Sequence, residues 1–202
     1  MVSSLHQCTP IPLCRREQPL QVPAACYLTH SAIEAIGSLR DTHNIGLDDL
    51  AAMTIFGQDA VLQVCNIAAP RTGLEVKFSI RHLAALAQNG ADTANPGLFE
   101  GTGSMTPQTQ AAREKIAFQP RDLATRSAAT VTLETRDGRT LHAEADVGVP
   151  AADTDAQWQK ITAKARSIAT PVIGAERVEA MIETVASLDD ANEIATLMRL
   201  LS

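Results

Sequence analysis

The stretch "ATVTLETRDGRTLHAEADV", residues 129–147, constrains this chain more than any other. Val131 and Leu133 alternate with Thr130, Thr132 and Glu134. After Asp137-Gly138, Leu141, Ala143, Ala145 and Val147 alternate with His142, Glu144 and Asp146. A period of two on both sides of a turn dipeptide predicts an antiparallel hairpin with one buried face. That face needs cover, and the flanking sequence offers mostly helical patterns.

One of these patterns starts at Thr29, where "THSAIEAIGSLRDTHN" sets Ile33, Ile36 and Leu39 at helical spacing behind a capping Thr, predicting a helix of about 12 residues. Residues 50–58, "LAAMTIFGQ", read as a short buried strand ending at Gly57. Residues 74–89 read as one helix, with Leu74, Phe78, Ile80, Leu83, Ala84 and Ala87 as its apolar face and Gly90 as its stop. "ADTANPGLFEGTGSMTPQ" reads as a loop, and its GTG lacks the flanking residues of a phosphate cradle. Beyond Pro150, helices are expected at 154–168, 174–187 and 190–201. Strands and helices do not alternate regularly, so the predicted class is α+β, a small antiparallel sheet with its hairpin near 128–147 packed against helices. Residues 1–22, interrupted by Pro10, Pro12 and Pro19, read as an extended or disordered lead-in to a domain over 23–202.

Composition narrows the functional classes. A formal net charge of −6 argues against nucleic acid or an anionic membrane as a partner, because such binding depends on excess Lys and Arg. No window has the apolar length of a membrane span, and prolines interrupt the N-terminal apolar runs before a signal-peptide core forms, so the expected location is cytoplasmic. The four cysteines, Cys8, Cys14, Cys26 and Cys65, form no CxxC pair and no zinc-type spacing, so no metal site is expected. They read as free thiols, with Cys26 buried and inert.

The cations and imidazoles concentrate in two places, "CYLTH" at 26–30 and "PRTGLEVKFSIRH" at 70–82. If one helix begins near 72–74, Lys77 and Arg81 lie four apart on one face of its first turns. Arg71 then stands just ahead, with Glu75, Ser79 and His82 on a neighbouring stripe. Cations there oppose the helix dipole at roughly 0.3–1 kcal/mol each, and a bound anion would reverse that cost. Plainer readings stay open: solvated surface charges for Lys77 and Arg81, a backbone carbonyl satisfying His30, and a half-buried surface position for His82.

In order and spacing, "CYLTHSAIEAI", "PRTGLEVKFSIRHLAALAQNG" and "VTLETRDGRTLHAEAD" resemble the C-terminal domain of the MmgE/PrpD family, which includes 2-methylcitrate dehydratase, cis-aconitate decarboxylase and iminodisuccinate epimerase. The "TGLEVKFS" run is the most specific part. The resemblance covers residues from about 20 to about 170, and it implies a smaller α+β lid that closes on a large helical domain, with the active site between them. It also implies carboxylate chemistry without a metal or iron-sulfur cluster, hence no cofactor. Removing a proton alpha to a carboxylate needs a base and nearby cations. His30 and His82 are the candidate catalytic residues, and Arg71, Lys77 and Arg81 the candidate substrate-binding residues. The family usually has a Tyr where "KFSIRH" ends in His82.

Only about 20 unpatterned residues precede the match, and much of the family's catalytic set lies on the helical domain. The expected function is therefore the lid of a lyase for di- or tricarboxylic acids that needs a separate helical chain. A homo-oligomer is the other expected partner. The alternatives are a non-catalytic remnant or interaction module, or a carboxylate-binding module without chemistry.

Overall fold

The computed structural model describes residues 22–149, 152–188 and 195–201. The predicted lead-in lies almost wholly outside the described residues, as do Cys8 and Cys14. A 3-10 turn, Tyr27–Thr29, leads into α1, His30–His43. Then come β1 (Leu50–Gly57), α2 (Ala60–Val64), α3 (Gly73–Val76), α4 (Ile80–Gln88), α5 (Pro107–Arg113), β2 (Ile116–Pro120), β3 (Ala128–Thr135) and β4 (Thr140–Asp146). Three helices follow, α6 (Thr154–Ile173), α7 (Ala175–Ala186) and α8 (Ala195–Leu201).

The hairpin forms as the alternation requires. Val131 faces Ala143 and Leu133 faces Leu141, while Thr132 Oγ1 meets His142 Nδ1 across the other face at 3.1 Å. The turn is fixed by Asp137, whose carboxylate accepts from the Thr135 hydroxyl and the Arg139 amide. β1 adds antiparallel to β3, pairing Met53 with Leu133 and Ile55 with Val131.

The sheet is mixed, which corrects the antiparallel expectation. Its order is β2-β1-β3-β4, and β2 runs parallel to β1, with Met53 opposite Ile116 and Ile55 opposite Phe118. The chain leaves β1, passes through α2 to α5 and returns along the same direction, the long crossover that a parallel pair requires.

Helices cover one face of this sheet. α1 lies against β3 and β4, and α4 against α1 and β2. Ile33, Ile36 and Leu39 of α1, with Ile80, Leu83 and Leu86 of α4, join Met53, Ile55, Ile116, Val131 and Leu133 in one core. With aromatics at 3% of the chain, aliphatic packing carries the core. Thr29 does not cap α1 through its side chain; its hydroxyl donates back to the Cys26 carbonyl at 2.7 Å.

The single helix expected over 74–89 is two. α3 ends at Val76, Ser79 is extended, and α4 starts at Ile80. Leu74 is 67% exposed and so contributes nothing to an apolar face. A bridge between Asn66 and Ser79 holds the break, with Ile67 N–H donating to Phe78 O at 3.2 Å and the Ser79 hydroxyl to Ile67 O at 2.6 Å. The expected loop, residues 91–108, holds a 3-10 turn, Pro96–Phe99, and at its end runs into a further helix, α5, capped by the Thr106 side chain on the Thr109 amide at 3.2 Å.

α6 begins at a cap in which Asp153 accepts from the Asp155 and Ala156 amides, and it runs five residues past the expected end, with Pro171 in its last turn. Lys160–Glu34 and Ser167–Asp92 contacts, each 2.6 Å, tie it to the body, and Arg166 joins it to Glu179 of α7. Of the helix expected at 190–201, residues 190–194 lie outside the described residues and 195–201 are helical.

The start of α3 packs directly on the 3-10 turn Pro96–Phe99. A Cβ on Gly73 would fall 1.6 Å from the Phe99 carbonyl oxygen, so one backbone must move for any other residue to fit. We expect Gly73→Ala to destabilise the domain by about 1–3 kcal/mol or more in urea unfolding. Gly103→Ala meets only an ordinary contact at 3.9 Å and should change stability by less than about 0.5 kcal/mol.

Candidate functional site

The two basic stretches meet through backbone. Cys26 N–H donates to Lys77 O at 3.2 Å, and Ala24 N–H to Thr93 O at 2.7 Å, so the loop before His30 is bound to the segment that breaks α3 from α4. No hydrogen bond or ion pair joins any two of the five candidate side chains among the described residues.

His30 opens α1 and is 1% exposed. Its Nε2–H donates to Ala25 O at 3.1 Å, the plainer of the two expectations for this residue, and its ring stands edge-on to Tyr27 at 5.5 Å. The other ring nitrogen, Nδ1, is buried without a hydrogen-bond partner among the described residues. Burial holds the His30 pKa below the usual histidine range against the opposing hydrogen bond to Ala25, and the positive charge of Lys164 on α6 adds to the depression. The sequence does not reveal Lys164, because its position depends on where α6 crosses α1.

His82 is 0% exposed, which corrects the expectation of a half-buried surface residue. It lies on the inner side of α4, and its Nε2–H donates to Ser104 O at 2.7 Å. The Thr109 hydroxyl donates to the same carbonyl at 3.3 Å. His82 Nδ1 and Ser104 Oγ are both buried without a partner among the described residues. Desolvation lowers the His82 pKa, and Arg113 contributes in the same direction.

The cations do not share a helical face. Lys77 is the C-cap of α3, where a positive charge is favoured, and its ammonium lies 5.1 Å from the centre of the Phe99 ring. It makes no hydrogen bond or ion pair among the described residues. Arg81 belongs to the first turn of α4 and donates to Asn66 Oδ1 at 3.2 Å. Arg71 precedes α3 and is exposed; its amide, not its guanidinium, is engaged, donating to Glu75 Oε2 at 2.5 Å. With the Thr72 cap on the Glu75 amide, this closes the start of α3 without an external anion. The dipole argument for anion binding therefore falls away with the single helix on which it rested.

Among the described residues, no group of three or more His, Cys, Asp or Glu side chains is arranged to hold a metal ion. None of the described helices is long and apolar enough to cross a membrane.

The sequence profile of the MmgE/PrpD C-terminal domain matches residues 24–190. The chain belongs to that family. The match takes in the mixed sheet, both buried histidines and every candidate cation, and ends just beyond α7. Comparison with curated proteins finds no significant match. As an MmgE/PrpD C-terminal domain, the chain holds two imidazole nitrogens inside the fold without a hydrogen-bond partner among the described residues, and the Arg71 and Lys77 charges at or near its surface.

The buried imidazoles make stability pH-dependent. Both folded-state pKa values are lowered, so the unfolded chain binds more protons once the pH falls below about 6.5, and stability present above that value is lost as the medium acidifies. Each group adds at most about 1.4 kcal/mol per pH unit to the slope. Urea midpoints measured between pH 7.5 and 5.5 should drop, and the drop should be shallower in His82→Gln. An equal drop in that variant would show that His82 does not contribute.

Proposed function

We propose that this domain is the substrate-facing lid of an MmgE/PrpD-type lyase acting on di- or tricarboxylic acids, active when a helical domain of the family completes the cleft. The family match supports this reading, and one placement carries it furthest: Lys77 is bound through its backbone to the loop before His30, while its ammonium has no counter-ion among the described residues. A carboxylate arriving there would meet a partly desolvated charge, with the exposed Arg71 just before the same short helix.

In this reading His30 is the base. It is held neutral, its Nε2–H is committed to Ala25, and Nδ1 is the atom left to take a proton from carbon alpha to a carboxylate. Lys77 and Arg71 offset the negative charge that develops on that carboxylate. Arg81, whose guanidinium is engaged with Asn66, has a lesser part in binding in this reading. His82, enclosed and bonded to Ser104, acts as a positioning residue for the 100–106 loop.

Calorimetry of the full chain with citrate tests the binding half of this reading. We expect a measurable heat and about tenfold weaker binding in Lys77→Ala, the loss of one charge-assisted contact. An unchanged isotherm in that variant would remove Lys77 from the site. The catalytic half is tested by adding a helical domain of the family and following 2-methylcitrate dehydration and cis-aconitate decarboxylation. Turnover should require both components. Turnover by the chain alone would remove the partner requirement, and none in any combination would leave a carboxylate-binding module without chemistry.

A further inference from the structure

Lys77 is held at its backbone and again at its tip. Its N–H donates to Gly73 O and its carbonyl accepts from Cys26 N–H, each at 3.2 Å, while its ammonium lies 5.1 Å from the centre of the Phe99 ring. The two hydrogen bonds fix the backbone from both sides, and the ring alone reaches the charge. Phe99 has little freedom of its own. It is 6% exposed, ends the 3-10 turn Pro96–Phe99 and belongs to the core. That turn is started by Asn95, whose Oδ1 accepts from Gly97 N–H at 2.8 Å, and by Pro96, whose ring presets φ. Gly73 then sets the register between ring and lysine. Its Cα rests on the Phe99 carbonyl so closely that no Cβ fits, and Lys77 follows it by four residues, one turn along the same side of α3.

We infer that Phe99 is the positioning residue for Lys77: its buried ring fixes the ammonium and leaves the outer side of the charge open for a carboxylate. The inference rests on the reading of Lys77 as part of a substrate wall and extends that wall to the 96–99 turn. A lysine side chain in water samples many rotamers, and an anion that binds it must arrest that motion. The electron-rich face of the ring attracts the ammonium from one side and supplies no acceptor oxygen. The hydrogens turned away from the ring therefore stay available, and the cost of ordering the side chain is met in the folding of the domain. A Leu in place of Phe99 would keep an apolar group in the core and leave the charge unguided.

The full chain labelled with carbon-13 at the lysine ε-carbon tests the hold directly. In the unsubstituted protein the Lys77 ε-protons, assigned by their loss in Lys77→Met, should show nuclear Overhauser contacts to the Phe99 ring and resonate upfield of their position in Phe99→Leu. The signals of Lys115, Lys160 and Lys164 should stay in place. Absence of the ring contacts in the unsubstituted protein would overturn the inference, and that measurement needs no Phe99 variant to fold. Calorimetry with citrate then supplies a double-mutant cycle. Phe99→Leu should weaken binding roughly two- to tenfold, the cost of arresting one long side chain, and should have no further effect in a Lys77→Met background. An equal loss in both backgrounds would show that Phe99 acts on the fold alone, and would also overturn the inference. A parent protein that shows the ring contacts and binds no citrate would remove the carboxylate-binding reading of Lys77, while Phe99 would stand as the residue that places its charge.

Discussion

The geometry of the candidate site depends on the break in the chain at 77–79. An uninterrupted helix from 74 to 89 would keep Lys77 and Arg81 side by side, one turn apart. Extended backbone at Ser79 (φ −121°, ψ 95°) ends α3 and restarts the chain as α4. Ser79 gives up helical bonding there, but the polar groups around it are satisfied by Asn66, Ile67 and Cys65, so little is left unpaired in a buried place. The break also frees the Lys77 carbonyl for Cys26. One irregular step therefore turns α4 so that His82 enters the core and joins the N-terminal loop to the middle of the domain.

Both histidines illustrate what burial does to a base. An imidazole that donates one hydrogen bond to a carbonyl and has no partner for its other nitrogen is stable only when neutral, because charging it would place a cation in an apolar setting. His30 and His82 share this arrangement, with Ala25 and Ser104 as the respective acceptors. Nearby cations, Lys164 for one and Arg113 for the other, act in the same direction. The arrangement lowers the basicity of each ring while leaving a lone pair ready. His30 lies at the first residue of α1, under a loop held by few bonds, whereas His82 sits inside α4 beneath a second helix, so the former is the easier to uncover.

The sequence was legible where burial is one-sided and local. The hairpin and α1 show their periods because Val131, Leu133, Ile33, Ile36 and Leu39 all face one core. β2 escaped because only Ile116 of its five residues is buried, which leaves no alternation to read at a sheet edge. α5 escaped because its buried residues are Thr109 and Ala112, too small and polar to draw an apolar stripe. The merged helix over 74–89 was the opposite error, since Leu74 fits the spacing and yet faces outward. Of the candidate site, the residue types were legible and their relations were not. The Cys26–Lys77 bond and the influence of Lys164 on His30 both join elements distant in sequence.

The distribution of charge completes the physical picture. The excess of acid over base in the chain does not prevent local cation exposure, because two acidic groups near the basic stretch are already committed. Glu75 is bonded to the Arg71 amide and Glu114 to the Arg113 guanidinium, each through a short contact within its own segment. Neither carboxylate is an ion-pair partner of Lys77 or of the Arg71 guanidinium. Committing acids locally in this way keeps a positive edge on an acidic protein, and repulsion from the remaining carboxylates is screened over about 10 Å in ordinary salt. Over shorter distances the aromatic face of Phe99 holds the Lys77 ammonium without neutralising it. A cation held by a ring keeps its full charge for an incoming carboxylate, whereas one held by a carboxylate would first have to break that pair.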